Sequence, residues 1–140
     1  MSDTRTNLTL VVGYDGSGGS RRALARVSEL AIDYRALVIV AVAPDIRSAG
    51  MGVDLAGPQL DTERLLGEAR EVLDGCDGAA IETHAAVGDP AIVLTDIARE
   101  VNAQLVIVGR RGADFVTRTL LGSVAQRVVQ HAPCDVLVVA

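Results

Sequence analysis

Apolar positions along this chain fall into two alternating kinds of run, one continuous and one periodic. Residues 8–14, 36–43, 80–87, 105–108 and 135–139 are short stretches rich in Val, Ile, Leu and Ala, and they predict strands buried on both faces. Between them the apolar residues return at helical spacing. Leu24, Val27, Leu30, Ala31 and Tyr34 predict a helix over 20–34, and Leu65, Leu66, Ala69, Val72 and Leu73 predict another over 59–73. A third runs over 89–101, with Asp89 as its cap and Pro90 at its first position. A fourth, over 122–131, keeps Val124, Ala125, Val128 and Val129 on one face. Residues 44–57 hold three glycines and no periodicity, the mark of a mobile loop.

Strands apolar on both faces, alternating with helices, call for a parallel sheet covered on both sides. Right-handed crossovers then lead to an α/β doubly wound sheet with helices on both faces. Ligands of such sheets bind beyond the carboxyl ends of the strands, at the switch point. The glycine-rich loops after the first and fourth strands both fall on that edge. No internal repeat or linker divides the 140 residues, so 1–140 reads as one domain.

Composition narrows the function. Apolar residues make up 49% of the chain, which excludes disorder. No apolar run approaches the roughly 20 residues of a membrane span, and Met1 to Arg5 lack the apolar core of a signal peptide. The expectation is a soluble, cytoplasmic protein with no membrane partner. A formal charge of −5 removes electrostatic attraction to nucleic acid, and three aromatic residues (Tyr14, Tyr34, Phe115) are too few for a base-stacking platform. All thirteen cations are arginine, which excludes a Walker-type, Schiff-base or kinase-type lysine. Cys76 and Cys134 cannot build a disulfide framework and are expected to be reduced and structural.

Three segments carry candidate chemistry. The first loop reads Gly13-Tyr14-Asp15-Gly16-Ser17-Gly18-Gly19-Ser20. Asp15 stands where a carboxylate can accept hydrogen bonds from a ribose or a base edge, and Ser20 is the expected cap of the first helix, worth about 1 kcal/mol. Arg21 occupies the place of the third glycine of a GxGxxG fingerprint, so this is not the dinucleotide loop. The second segment is Gly109-Arg110-Arg111-Gly112, then nine residues, then Gly122-Ser123-Val124. Its glycines let main chain approach a ligand, and the helix beginning at Gly122-Ser123 offers unpaired amides at the positive end of its dipole. We read it as a phosphate cradle. Adjacent side chains diverge, so only one of Arg110 and Arg111 faces the ligand.

The third segment, Gly88-Asp89-Pro90, is accounted for by helix initiation. Val87, just before it, is placed to wall an apolar base pocket with Ala41 and Val42. Catalytic groups are scarce: His84 falls mid-strand, His131 falls at a helix end, and no Cys/His cluster has metal spacing. Asp15, Asp89 and Asp114 are candidates to hold a divalent ion on phosphates, but nothing marks a general base.

Taken together, Val11-Val12-Gly13-Tyr14-Asp15-Gly16-Ser17, Gly88-Asp89-Pro90, Gly109-Arg110-Arg111-Gly112, Leu121-Gly122-Ser123-Val124 and Pro133-Cys134-Asp135-Val136-Leu137-Val138-Val139 resemble the universal stress protein family. The resemblance runs from Leu8 to Val139, and the G-x2-G-x9-G-[ST] spacing is similar to that family's ATP-binding branch. It implies a five-stranded sheet in the order 3-2-1-4-5. It implies Gly13 and Asp15 near adenine and ribose, Val42 lining the adenine pocket and Gly109 approaching the ribose. Gly112, Gly122, Ser123 and Val124 would contact the phosphates through amides and the Ser123 hydroxyl. The implied ligand is ATP, with or without Mg2+, and the implied assembly is a homodimer through the last strand. An apolar strand 136–139 without charges fits that pairing.

Three departures stand out. Ala113-Asp114-Phe115-Val116 replaces small, glycine-rich residues, Gly18-Gly19 loosens the first loop, and Asp135 stands where the family often has proline. The function so implied is an ATP-binding stress or regulatory protein with at most slow hydrolysis. The alternative is an ATP-dependent ligase or nucleotidylyl transferase of a related doubly wound fold. Missing lysines and the lack of an obvious second-substrate site argue against it.

Overall fold

The computed structural model describes residues 8–29, 35–43, 56–73, 80–110 and 121–140. Its elements are β1 (Thr9–Gly13), α1 (Gly18–Glu29), β2 (Ala36–Ala43), α2 (Ala56–Val72), β3 (Ala80–Val87), α3 (Pro90–Glu100), β4 (Leu105–Gly109), α4 (Ser123–His131) and β5 (Asp135–Val139). The strands form a five-stranded sheet in the order β3-β2-β1-β4-β5. Every pairing is parallel, so the order expected from the family resemblance is the order observed.

The continuous apolar runs are explained by strict alternation across the sheet. Leu10, Val12, Leu37, Ile39 and Ile107 are buried on one face with Ala23, Leu24 and Val27 of α1 and Ala69 of α2. Val11, Val38, Val40, Val106 and Val108 are buried on the other, with Ala91, Leu94, Ile97 and Ala98 of α3 and Ala125 and Val128 of α4. One helix pair therefore covers each face. Strand order reverses at β1, between β2 and β4, which puts the loops after β1 and β4 side by side.

Helix starts differ from the sequence expectation. The first helix begins at Gly18 rather than Ser20, and its cap is Ser17, whose Oγ accepts from the Ser20 amide at 3.2 Å. Gly18-Gly19 thus belongs to the first helical turn and does not loosen a loop. The second helix begins at Ala56, three residues ahead of expectation, so Ala56 and Gly57 leave the glycine-rich segment. The rest of that segment, 44–55, and the expected end of the first helix, 30–34, lie outside the described residues.

Candidate functional site

Beyond the carboxyl ends of β1, β2 and β4 lies a cavity of about 370 Å³. The first loop supplies Gly13, Tyr14, Asp15, Ser17 and Ser20 to its lining, and β2 supplies Val40 and Val42. Pro90 and Leu94 enter from α3, Val108 to Arg110 from the end of β4, and Gly122 to Ala125 from the start of α4. Its lining is more apolar than polar, with Asp15, Ser17, Ser20, Arg110 and Ser123 among the polar residues.

The first loop is held by its own short side chains. Asp15 Oδ1 accepts from the Ser17 amide at 2.9 Å, Ser20 Oγ donates to the Ser17 carbonyl at 3.1 Å, and the Asp15 amide donates to Ser20 Oγ at 3.3 Å. Gly16 makes the turn at φ +79°, in the left-handed region that a side chain disfavours. Asp15 itself is exposed, and its Oδ2 has no partner among the described residues.

Three helix starts meet near this edge, and they are capped differently. Ser17 caps α1, and Asp89 caps α3 by accepting from the amides of Ala91 and Ile92 at 3.0 and 3.3 Å. The fourth helix has Gly122 at its cap position, in extended backbone, with no side-chain cap. Its first internal bond runs from the Gln126 amide to the Gly122 carbonyl at 3.0 Å. The amides of Ser123, Val124 and Ala125 therefore have no acceptor among the described residues, and all three residues line the cavity. A bond of 2.7 Å from the Gly122 amide to the Arg110 carbonyl ties this start to the end of β4.

Gly109 lines the cavity but has a second reason to be glycine. A Cβ there would lie 2.6 Å from the Gly19 carbonyl carbon and 2.8 Å from its oxygen, so β4 and the first turn of α1 touch main chain to main chain. The glycine pair brings α1 down onto the sheet.

Asp89 makes a further contact. Arg127 Nη1 of α4 donates to its Oδ2 at 2.6 Å. That guanidinium bond, helped by the two amides, holds the Asp89 carboxyl below the usual carboxylate range against the opposing effect of burial. Both carboxylate oxygens are thereby engaged, and Asp89 is not part of the cavity lining. Burial and the neighbouring Asp135 charge raise the thiol of Cys134, the inert behaviour expected of a structural cysteine. Among the described residues no group of three His, Cys, Asp or Glu is arranged to hold a metal, and no helix is long and apolar enough to cross a membrane.

Of the candidate residues, Gly13, Asp15, Val42, Gly109, Arg110, Gly122, Ser123 and Val124 share this cavity. Arg111 and Gly112, with Asp114, Phe115, Tyr34 and Cys76, lie outside the described residues. Val87 is misplaced in the sequence reading: it is 59% exposed and not part of the lining. In register Val42 pairs with Ala86, and Val87 pairs with Ala43, so Val87 turns to the opposite face. The same alternation separates Ala41 from Val42. Leu94 and Val108 line the cavity unforeseen, because nothing in their spacing distinguishes them from other core positions. His84 and His131 are exposed or half-buried and stand outside it.

Residues 7–140 match the model of the universal stress protein family. A Staphylococcus aureus protein named as a universal stress protein is 41% identical over 78 residues, which is 55% of this chain and 47% of that one. The chain spans about half the length of the curated relatives it matches. Among solved structures, a universal stress protein in complex with cAMP is 30% identical, with a TM-score of 0.74 over 95% of this chain and 97% of that one. The Archaeoglobus fulgidus universal stress protein in complex with dAMP has the same fold at 24% identity, with a TM-score of 0.71 over 96% and 98% of the two chains.

Proposed function

The chain belongs to the universal stress protein family, and on that premise we propose that it binds an adenine nucleotide, ATP, as a stress-response regulator whose signal is occupancy rather than turnover. The observation that carries this reading is the uncapped start of α4, with three amides that have no acceptor among the described residues, on a cavity whose lining is more apolar than polar. Phosphate satisfies such amides and the helix dipole without a lysine. Val42 and Leu94 would pack the base, Asp15 would accept from the ribose, and Ser123 and Val124 would hold the phosphates. Gly112, by its spacing, belongs to the same cradle. The 30% identical universal stress protein in complex with cAMP supports an adenine nucleotide as the ligand. Mg2+, where present, would ride on the phosphates.

In this reading residues 1–140 form one cytoplasmic nucleotide-binding domain that pairs as a homodimer through β5 and has no nucleic-acid partner. Hydrolysis is slow in this reading, because among the described residues the one carboxylate lining the cavity, Asp15, is taken up by the ribose.

A thermal shift with ATP, with and without Mg2+, tests the proposal. Ligand at 100 times its dissociation constant stabilises by about 2.7 kcal/mol, roughly 6–10 °C for a chain of this size. No shift at millimolar ATP overturns it. Gly122→Leu should abolish the shift by blocking main-chain approach, and a retained shift would move the site elsewhere. Turnover above about 1 s⁻¹ would instead favour the ligase or nucleotidylyl-transferase reading.

A further inference from the structure

Two of the helices that line the cavity, α3 and α4, pack on the same face of the sheet. Pro90 and Leu94 come from α3, and Ser123, Val124 and Ala125 come from α4. Ala91, Leu94, Ile97 and Ala98 of α3 and Ala125 and Val128 of α4 share one buried apolar cluster. Apolar contact is non-directional and resists sliding weakly. A short charge-assisted hydrogen bond is directional.

Among the described residues, one hydrogen bond or ion pair joins α3 to α4: Arg127 Nη1 to Asp89 Oδ2 at 2.6 Å, between residues 38 apart in the chain. Neither residue lines the cavity. Asp89 Oδ1 meanwhile accepts from the Ala91 and Ile92 amides, so the same carboxylate grips the first turn of α3. Arg127 lies four residues beyond Ser123, one turn along α4. The carboxylate thus links the first turn of one wall to the second turn of the other.

We infer that the Asp89–Arg127 pair is a strut that sets the spacing between the apolar wall of α3 and the amides of α4, which makes both residues positioning residues for the nucleotide. The inference rests on the nucleotide-binding reading above. A base against Leu94 and a phosphate on the Ser123–Ala125 amides are parts of one ligand of limited reach. The two helices must therefore hold one separation for both contacts to form at once, and a pair with both partners engaged supplies it. Helix initiation explains Asp89 alone. It does not explain why the oxygen left over from capping is taken by the neighbouring wall.

The test is calorimetric titration of the full chain with ATP for the wild type, Asp89→Asn, Arg127→Gln, the double variant and Arg127→Lys. Asparagine caps a helix as well as aspartate does, so Asp89→Asn removes the strut and keeps the cap. Each of Asp89→Asn and Arg127→Gln should weaken ATP binding about tenfold, and the double variant should bind no more weakly than either. Arg127→Lys should regain most of the loss, because an ammonium can donate to the same oxygen. Unchanged affinity in the single variants overturns the strut. So does a double variant whose losses multiply to about a hundredfold, or a loss confined to Arg127→Gln, which would mark simple charge neutralisation. A wild type that binds none of ATP, ADP or AMP overturns the functional reading and the strut together. A wild type that binds while its variants bind equally well overturns the strut alone. Circular dichroism checks the fold of each variant. If Arg127→Gln does not fold, Asp89→Asn and Arg127→Lys carry the comparison.

Discussion

At the scale of single residues, Gly13 and Gly109 both end strands and both line the cavity, yet they tolerate change differently. A Cβ on Gly13 would meet the Leu94 Cδ1 atom at 3.0 Å, and a leucine methyl can move. A Cβ on Gly109 would strike the Gly19 main chain at 2.6 Å, and that main chain is part of a helix. Gly109→Ala is therefore expected to cost about 1–3 kcal/mol, as overpacking does, and Gly13→Ala less. Urea denaturation of the two variants checks the ranking, and equal midpoints would contradict it. Asp89 yields a pH prediction. Its carboxyl titrates below the usual range in the folded chain, so its ion pair stabilises above the unfolded pKa, and that contribution fades as pH falls through the folded value. The stability gap between the wild type and Asp89→Asn should stay level from pH 7 to pH 5 and close below about pH 4. The side chains are 42% and 38% exposed, so the gap is small. A gap of the same size at pH 3 and pH 6 would exclude this pair as its source.

Among the three helices that start at the cavity, α4 stands apart because its start is left uncapped. Filling it should separate stability from binding. Ser123→Asp puts a carboxylate in the first turn, where it favours the helix dipole and should add about 0.3–1 kcal/mol to the chain without ligand. The same charge repels phosphate, so the ATP-induced thermal shift should vanish. A variant that loses stability and keeps the shift would show that the amides of α4 do not meet the nucleotide. The contrast with α1 and α3 was only half readable beforehand. Asp89-Pro90 announces a cap because both residues act within one turn of each other. At α1 the expected Ser20 gave way to Ser17, since either serine can cap and only the bonds actually closed decide between them.

For the whole molecule, the open edge at β5 matters most. Residues 136–138 are half-buried in the single chain, and Val136 and Val138 lean on the cluster beneath α3 and α4. If the homodimer forms here, Val138→Lys should yield monomers by light scattering. A lysine stem can keep the apolar contact while its charge faces solvent, so the fold should survive. A dimer that persists would relocate the interface to another surface.

Alternation of apolar runs was enough to specify five strands, four helices and a parallel doubly wound sheet, because burial on two faces leaves few other solutions, although the edge strands β3 and β5 are only partly buried. Spacing within 109–124 also singled out the uncapped helix start, since glycine and serine at a cap are local signals. What the chain alone did not decide was which side of the sheet a residue faces and what it meets there. Val87 has the composition of a pocket wall although strand register turns it away, and nothing in its neighbours marks Arg127, which grips a carboxylate 38 residues distant. Both outcomes depend on how separate segments are brought together, and that is settled by packing between them and not by the neighbours of either residue.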